Sequence, residues 1–279
     1  MMKSVLFIAL FSYSALVVNA QVQKGRIVFE RTVQIKIAIA TTNGEPDESI
    51  QNMLPKSRTD RFELLFTPGQ TLWKQLEDER PEADNMTFNS GGGAVMIRAV
   101  GMGADDILFS NIETGRKVEQ KELGTKKFVI EDSLLKLKWK LSDETKTILG
   151  QPCRKAISER ISTRMMMNME NGKMERKEVA DTSVIVAWFS PAIPVSAGPA
   201  EYQGQLPGMI LELDLNNGRS HFVAVELSEK ADFAAIKEPK SNKRITQAEF
   251  NKERDKMFEE MSRNNGGGGP NRTTIRIGN

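Results

Sequence analysis

Apolar and polar residues alternate along most of this chain, and this two-residue period restricts its fold more than any other feature. Over residues 27–39 the odd positions are apolar except for Arg31. Over residues 135–141 three leucines and a tryptophan alternate with three lysines. Successive side chains of a β-strand point to opposite faces of a sheet, so both segments predict strands with one buried face. The lysines are typical of the solvated side of such a sheet.

Similar patterns recur between short connections that contain Gly, Asn or Asp. The further predicted strands are residues 61–66, 71–76, 95–99, 107–113, 117–122, 127–130, 147–149, 153–164, 184–189 and 219–227. Residues 41–60 and 78–94 are polar and contain Pro or Gly, which predicts loops or partly ordered insertions. We therefore expect a mainly β fold, built as a single antiparallel curved sheet or half-barrel.

The strongest turn signal is Asn217-Gly218, because both central residues of a type I′ hairpin turn need a positive φ. A two-residue turn fixes the register of the two strands that it joins, and a shift of one residue would move every side chain to the other face. The predicted cross-strand pairs are Leu215 with Ser220, Asp214 with His221, Leu213 with Phe222, and Glu212 with Val223.

This register would place the only histidine, His221, opposite Asp214 and diagonal to Glu212. An acidic neighbour favours the protonated form of an imidazole. One interpretation is an exposed cross-strand charge pair that contributes about a few tenths of a kcal/mol. The other is a pH-sensitive or metal-binding spot.

The segment before this hairpin combines a turn with a long loop. Pro207 and Gly208 fit the two central positions of a type II turn, the second of which needs a positive φ. A proline-stiffened loop flanked by aromatic residues is typical of a ligand-binding loop, and the equal alternative is a loop that wraps a sheet edge. The candidate ligand-binding residues are Trp188, Phe189, Pro191, Pro194, Tyr202, Leu206, Pro207 and Gly208.

A methionine-rich segment, RMMMNMENGKM at residues 164–174, suggests a second kind of site. On an extended strand every other methionine would share a face, and a turn at Asn171-Gly172 would return the chain to them. Converging thioethers suit Cu(I). A flexible apolar strip that packs on the sheet or on a partner explains the same residues. The candidate copper ligands are Met165, Met167, Met169 and Met174, with His221 as an added ligand.

The two ends of the chain carry their own signals. Residues 1–20 combine Lys3 with an apolar stretch too short to span a bilayer, which is typical of a secretory signal peptide. Thr246 and Glu249 form a capping box that predicts a helix from Gln247 to about Arg263. The expected organisation is a signal peptide at 1–20, an antiparallel β domain at 21–245, a helix packed on it at 246–263, and a flexible Gly-rich tail at 264–279.

Composition excludes several function classes. Thirty-nine basic and 37 acidic residues leave a formal net charge of +2, with no basic face interleaved with aromatics to bind nucleic acid. Cys153 is the only cysteine, so no intramolecular disulfide can form. The common metal and phosphate motifs are absent from the sequence, and no later segment is long and apolar enough to span a bilayer. A catalytic pair of Cys153 and His221 is conceivable, but an isolated strand cysteine is more typical of a small buried apolar residue.

Four segments of the sequence resemble the GLPGLI family of exported proteins of Gram-negative bacteria. They are AWFSPAIPVSAGPAEYQGQLPGMILEL (187–213), WKLSDETKTILGQPCRKA (139–156), RFELLFTPGQTLW (61–73) and GRIVFERTV (25–33). Gln205 stands where the family's first Gly precedes Leu-Pro-Gly, and Met209 replaces the usual Leu. The resemblance implies an exported protein with a mostly antiparallel β architecture and an unassigned function. It brings no catalytic residues to this chain.

These observations favour a non-enzymatic binding or carrier protein of the bacterial cell envelope. We expect it in the periplasm or at the cell surface, holding a lipid-like or peptide ligand or docking on an envelope protein. No cofactor is expected in this interpretation. The alternative is a copper-handling protein that uses the methionine-rich segment.

Overall fold

A sheet of twelve strands dominates the computed structural model of this chain. The residues that the structure describes are 22–34, 36–39, 56–76, 85–90, 93–98, 106–170, 173–241, 243–264 and 275–278. The expectation of a mainly antiparallel curved sheet or half-barrel with a C-terminal helix is confirmed, since the sheet stays open rather than closing into a barrel.

The strands and the helix are numbered in chain order. The first eight strands are β1 (Gly25–Gln34), β2 (Lys36–Ile39), β3 (Ser57–Phe66), β4 (Gln70–Gln75), β5 (Asn85–Ser90), β6 (Gly93–Arg98), β7 (Ile107–Asn111) and β8 (Arg116–Leu123). The others are β9 (Lys126–Ser133), β10 (Lys140–Ile148), β11 (Gln151–Glu170), β12 (Lys173–Ser190), β13 (Met209–Leu215), β14 (Ser220–Ser228), β15 (Arg244–Ile245) and β16 (Ile275–Gly278). The α-helix α1 spans Gln247–Asn264.

Two meanders join to form the large sheet, whose order is β10-β11-β12-β13-β14-β1-β3-β4-β7-β8-β9-β15. The later meander, β10 to β14, meets the earlier one through the antiparallel pair of β14 with β1. The two-residue strand β15 adds in parallel to β9, and the other neighbours are antiparallel. Two separate pairs, β2 with β16 and β5 with β6, complete the described strands.

The register predicted for the β13–β14 hairpin is confirmed at all four pairs, including Asp214 with His221. Asn216, Asn217 and Gly218 have φ values of 60°, 55° and 82°. The Asp214 carboxylate accepts a hydrogen bond from the Gly218 amide at 2.7 Å, which stabilises the turn. Local turn chemistry therefore sets this register, as its Asn-Gly pair predicts.

The two faces of the sheet are covered in different places. One face, called the inner face below, carries the larger core and is covered by residues 134–139 and 190–208. At its centre Trp73 stacks on Phe62 at 5.0 Å between ring centroids and contacts Phe29 and Phe222. A smaller core lies on the opposite face of β3, β4, β7, β8 and β9 under residues 231–236; its buried members are Leu65, Leu72, Phe109, Val118 and Val129.

The C-terminal helix begins where the capping box predicts. The Thr246 amide donates to the Glu249 carboxylate at 2.7 Å, and the Glu249 amide donates to the Thr246 hydroxyl at 3.2 Å. The ring of Phe250 packs on Phe128 of β9 at 5.6 Å between centroids. No helix among the described residues is long and apolar enough to cross a bilayer.

An ion cluster joins β15 to the sheet just before this helix. Arg244 contacts Glu131 at 2.6 Å and Glu238 at 2.5 Å, and Arg116 contacts the same two carboxylates. Hydrogen bonds from Arg244 and from Arg116 lower the pKa of Glu131. Hydrogen bonds from Arg116 and then Arg244 lower the pKa of Glu238.

Three expectations need correction or extension. Residues 135–139, the start of the strand predicted at 135–141, form no ladder, and the strand begins at Lys140. Strand β3 begins at Ser57 and strand β5 spans Asn85–Ser90, inside segments predicted as loops. The expectation of a flexible tail did not include β16, which pairs with β2. The predicted signal peptide lies outside the described residues.

Candidate functional site

The predicted ligand-binding loop packs into the protein instead of lining an open site. Phe189, Tyr202 and Leu206 are buried in the larger core, together with Ile193 and Val195 of the same loop. Pro191, Pro194 and Pro207 are the exposed members. The loop's apolar side chains therefore fill the inner face of the sheet, which matches the alternative of a loop that wraps the sheet.

Gly208 is required for close packing at the end of this loop. Its φ is 152°, and a Cβ added there would overlap the carbonyl oxygen of Ser190. The type II turn predicted here is wrong, although the positive φ is present. The Gly208 amide donates to the Leu206 carbonyl at 2.8 Å, which is a three-residue turn centred on Pro207, and the Met209 amide donates to Ile193 instead.

Two glutamines that the sequence did not single out as structural hold the loop in place. The buried amide of Gln203 contacts the backbone of Gly198 and Ala200 and accepts from the Thr71 hydroxyl on β4 at 3.2 Å. The Gln203 amide and the Thr71 hydroxyl are both buried, and a buried polar atom without a hydrogen bond would lower the stability of the fold. Gln203 therefore ties the loop to the earlier meander.

Gln205 performs a similar role on the solvent side of the loop. Its amide oxygen accepts from the Leu137 amide at 3.3 Å and from the Trp139 indole at 3.2 Å, and its nitrogen donates to the Leu135 carbonyl. This side chain supplies some of the hydrogen bonds that a neighbouring strand would give to residues 134–139. The residue that departs from the GLPGLI pattern thus has a specific structural use in this chain.

A cluster of charged and aromatic side chains forms on the outer face of the later meander, opposite the loop. We call Lys146, Lys155, Trp188, Glu212 and His221 the outer-face cluster. Lys146 Nζ lies 4.3 Å and Lys155 Nζ 5.8 Å from the centroid of the Trp188 ring. Cations at these distances from an indole face are attracted by its quadrupole. Two ammonium groups therefore lie close to the Trp188 ring.

Carboxylates complete the cluster, which spans the five neighbouring strands β10 to β14. One carboxylate oxygen of Glu212 lies 2.5 Å from Lys146 Nζ, and the other lies 3.2 Å from His221 Nε2. Lys155 binds Glu144 of β10 at 2.8 Å. His221 therefore contacts the diagonal Glu212, while the carboxylate directly opposite, Asp214, caps the turn. The arrangement orients the two lysines and leaves part of the indole at the surface.

The single cysteine lies beneath this cluster as a buried group. Cys153 is 1% exposed, and its thiol donates to the Gln151 carbonyl at 3.4 Å. Burial raises the pKa of Cys153 to about 11, which keeps the thiol protonated at neutral pH. A protonated thiol is a weak nucleophile, so this geometry does not provide an activated cysteine.

Apolar residues extend from the outer-face cluster along β11 and β12. Ile157 and Val186 face each other across the two strands, with Val184 one row further, and all three are partly exposed. Ile161 is 78% exposed on the same face. The result is a strip of apolar residues that begins at Trp188 and contains one charged residue, the exposed Glu159, opposite Val184 and between Ile157 and Ile161.

The candidate copper ligands do not gather around His221. The ladder of β11 and β12 pairs Met169 with Met174 and Met165 with Glu178. His221 shares a row with Asp214, Val186 and Ile157, which is eight residues along β11 from Met165. At about 3.3 Å per residue this is roughly 26 Å. The side chains of residues 162–179 lie outside the description, so the methionine site stays a prediction.

Other concave or ligating sites are few. A shallow, open depression near the β13–β14 turn is lined by Val33, Ser183, Leu215, Asn216, Arg219 and Ser220. It lies away from the 190–208 loop. Among the described residues no group of three or more His, Cys, Asp or Glu side chains could hold a metal ion.

The fold and this surface define the class: an open, mostly antiparallel β-sheet protein with a filled inner face and a charged aromatic cluster outside. Residues 139–212, roughly a quarter of the chain, match a family model described as "Protein of unknown function (Porph_ging)". This part of the chain is thus similar to a family of unassigned function. Lys146, Lys155, Trp188 and Glu212 all lie inside the matched segment.

Comparison with known proteins adds little beyond this match. No curated protein matches the chain. One solved structure, titled "Structure of PNGF-II in C2 space group", is similar with a TM-score of 0.47 and 16% sequence identity. The similarity covers 84% of this chain and 32% of that chain, so this chain spans about a third of that protein's length.

Proposed function

We propose that this chain is an exported, non-enzymatic binding protein of the envelope of a Gram-negative bacterium and a member of the GLPGLI family. The signal-peptide pattern of residues 1–20 supports export. The family match at 139–212 contains two of the four segments that carry the GLPGLI resemblance almost in full. The signal-peptide pattern is the feature that supports an envelope location, in the periplasm or at the cell surface.

The observation that carries the proposal is the outer-face cluster with its apolar strip. Two lysines contact the Trp188 ring and are themselves held by Glu144 and Glu212, which restricts the orientation of the indole. The strip continues to Ile161, whose side chain is 78% exposed. An apolar centre with an aromatic anchor and a charged rim is typical of a protein recognition surface.

A peptide or protein ligand fits this surface better than a lipid held inside the sheet. The inner face is occupied by Ile193, Val195, Tyr202 and Leu206 of the chain's own loop. The loop is bonded to β13 through Met209 and Ile210 and to β4 through Gln203. A lipid would have to displace these groups, whereas the outer face is available as it stands.

Site-specific photo-crosslinking in living cells tests the proposal. A photoreactive residue placed at Ile161 should give a discrete adduct with an envelope protein or peptide. The same residue at Lys126, which is exposed on β9 at the other end of the sheet, should give none. The adduct should also be lost when Trp188 is replaced by Ala, with circular dichroism used to verify the fold. Absence of an adduct at Ile161, or equal labelling at Lys126, would contradict the proposal.

A further inference from the structure

One edge of the large sheet is a long strand whose outer side pairs with none of the described strands. Strand β10 has nine residues, pairs with β11 on one side only, and stands first in the sheet order. Six of its nine side chains are exposed. An edge of this length presents unpaired backbone N–H and C=O groups, which can pair with an added strand.

Exposed leucines flank this strand. Leu141 is 48% exposed and Leu149, the residue that follows the strand, is 40% exposed. These are two of the four large hydrophobic residues that stand out as exposed among the described residues. Between them lie two acidic residues and one basic residue, Asp143, Glu144 and Lys146, with Glu144 and Lys146 on either side of Thr145.

The order of these residues is self-complementary about Thr145. Two copies of LSDETKTIL (141–149) aligned antiparallel at this residue place Glu144 of each copy opposite Lys146 of the other. The same alignment places Thr145 opposite itself, and it brings Leu141 level with Leu149, which has a φ of 48° and belongs to the β10–β11 turn. Opposite charges, apolar pairs and Thr–Thr pairs directly across two antiparallel strands all stabilise a sheet.

We propose that β10 is a homodimer interface, in which a second copy of the chain pairs antiparallel with it about a two-fold axis at Thr145. The occupant follows from charge complementarity within the strand itself. The inference does not depend on which ligand the outer face binds, although Lys146 also belongs to the outer-face cluster and Glu144 binds its Lys155. Such an interface is isologous, since each copy contributes the same surface. It would join two twelve-stranded sheets into one.

Other two-fold alignments of the strand are less favourable. Because opposite residues share a face, a two-fold axis must pass through a residue position. An axis at Asp143, Glu144 or Lys146 sets that charge against its own copy. An axis at Ser142 pairs only residues 140–144 within the strand and sets Lys146 against Lys138 beyond it.

Existing ion pairs leave room for the new ones. Glu144 binds Lys155 while its side chain stays 59% exposed, and Lys146 binds Glu212 while 33% exposed. The ladder to β11 shifts register between Leu141 and Thr145, and such a bulge also serves to protect an edge from pairing. The measured oligomeric state decides between these two roles of the strand.

Sedimentation velocity of the mature protein over a concentration series tests the interface with two matched variants. The wild type should sediment as a dimer that dissociates on dilution. Thr145→Lys places two ammonium groups face to face on the axis and should give a monomer. Thr147→Lys adds the same charge to the same strand, but opposite Asp143 of the second copy, and should remain dimeric. A wild type that is monomeric throughout, or a Thr145→Lys protein that stays dimeric, would overturn the proposal.

Cysteine crosslinking verifies the register separately. Directly opposed residues in an antiparallel pair approach closely enough for a disulfide, and the native Cys153 is buried. Under oxidation Thr145→Cys should give a covalent dimer on a non-reducing gel, and Thr147→Cys should not. Equal crosslinking by both variants would mean that the axis is not at Thr145. Circular dichroism of each variant shows whether the fold is intact.

Discussion

At the scale of single residues, the Leu-Pro-Gly turn has a structural explanation. Gly208 is needed because the chain passes directly against the carbonyl of Ser190, and Pro207 occupies the centre of the three-residue turn before it. The turn brings Met209 to hydrogen bond with Ile193, and strand β13 begins at once. The sequence pattern most characteristic of the chain thus describes packing between a loop and a strand.

Replacing Gly208 with Ala should destabilise the protein by about 3 kcal/mol or more, because both the φ of 152° and the overlap with Ser190 are unfavourable. Urea unfolding followed by tryptophan fluorescence measures this loss. Gly150→Ala is the matched control, since Gly150 has a φ of 75° and open space around it. Its cost should be about 1 kcal/mol. Equal losses for both variants would show that the contact with Ser190 is unimportant.

Gln205 gives a second prediction at this scale. Gln205→Ala leaves the Trp139 indole and the Leu135 and Leu137 backbone without their partner, and should cost about 1–3 kcal/mol. The fluorescence of Trp139 should shift to longer wavelength as water reaches the indole. Gln205→Glu keeps the acceptor for Trp139 and should give a smaller change. An unchanged spectrum and stability in the Ala variant would argue against the bridge.

At the scale of secondary structure, local signals predicted some elements well and others only in part. The Asn217-Gly218 hairpin and the helix after Thr246 were predictable because their hydrogen bonds join residues near in sequence. Alternation over residues 134–139 predicted a buried and an exposed side, but alternation alone does not supply a neighbouring strand. The side chain of Gln205, far along the chain, makes some of the hydrogen bonds that a neighbouring strand would make. No local sequence pattern indicates that a distant side chain will bind this segment.

The outer-face cluster could not be predicted for a related reason. Lys146, Trp188 and Glu212 come from three strands, so their contact depends on the registers between them. Register shifts occur between Leu141 and Thr145 and between Trp188 and Phe189. Bulges of this kind have weak sequence signals, yet each one decides which side chains meet across a sheet.

Acid should loosen the C-terminal element before the rest of the sheet. The pKa values of Glu131 and Glu238 are lowered from 4.5 by hydrogen bonds with Arg244 and Arg116. A lowered folded pKa means that these contacts stabilise the protein above about pH 4.5 and are lost as the pH falls through the folded values. The protection of the amides of residues 244–264 against hydrogen exchange, relative to the intrinsic exchange rate at each pH, should therefore fall below about pH 4.5.

Two controls make this acid prediction specific. Arg244→Gln removes one cation from both carboxylates, so residues 244–264 should exchange faster already at neutral pH and show a weaker response to acid. The hairpin amides of β13 and β14 serve as an internal reference. If both regions respond to acid together, the ion cluster does not control the helix.

At the scale of the whole molecule, one sheet is shared by two cores on opposite faces. Strands β3 and β4 belong to both, since Leu64 and Trp73 lie in the larger core while Leu65 and Leu72 lie in the smaller one. A side chain lost from either core weakens the same strands. The two cores should therefore melt together.

Phe222→Ala in the larger core and Phe109→Ala in the smaller one should each cost about 3–5 kcal/mol and shift the same transition. Tryptophan fluorescence, dominated in the larger core by Trp73, and far-ultraviolet circular dichroism should report coincident unfolding curves. If the Phe109 variant shows an early transition by circular dichroism without a change in fluorescence, the halves unfold separately.

The two edges of the large sheet, β10 at one end and β15 at the other, are built differently. Strand β15 places only two residues beside β9. The helix α1 follows directly, and its Phe250 packs on Phe128 of β9. The two ends of the sheet therefore differ, since β15 and the helix occupy part of the β9 end while the outer side of β10 is unpaired among the described strands. Pairing through β10 about a two-fold axis uses that edge in both copies, so it stops at two copies. The same sheet that can lengthen once is protected from growing into a fibre.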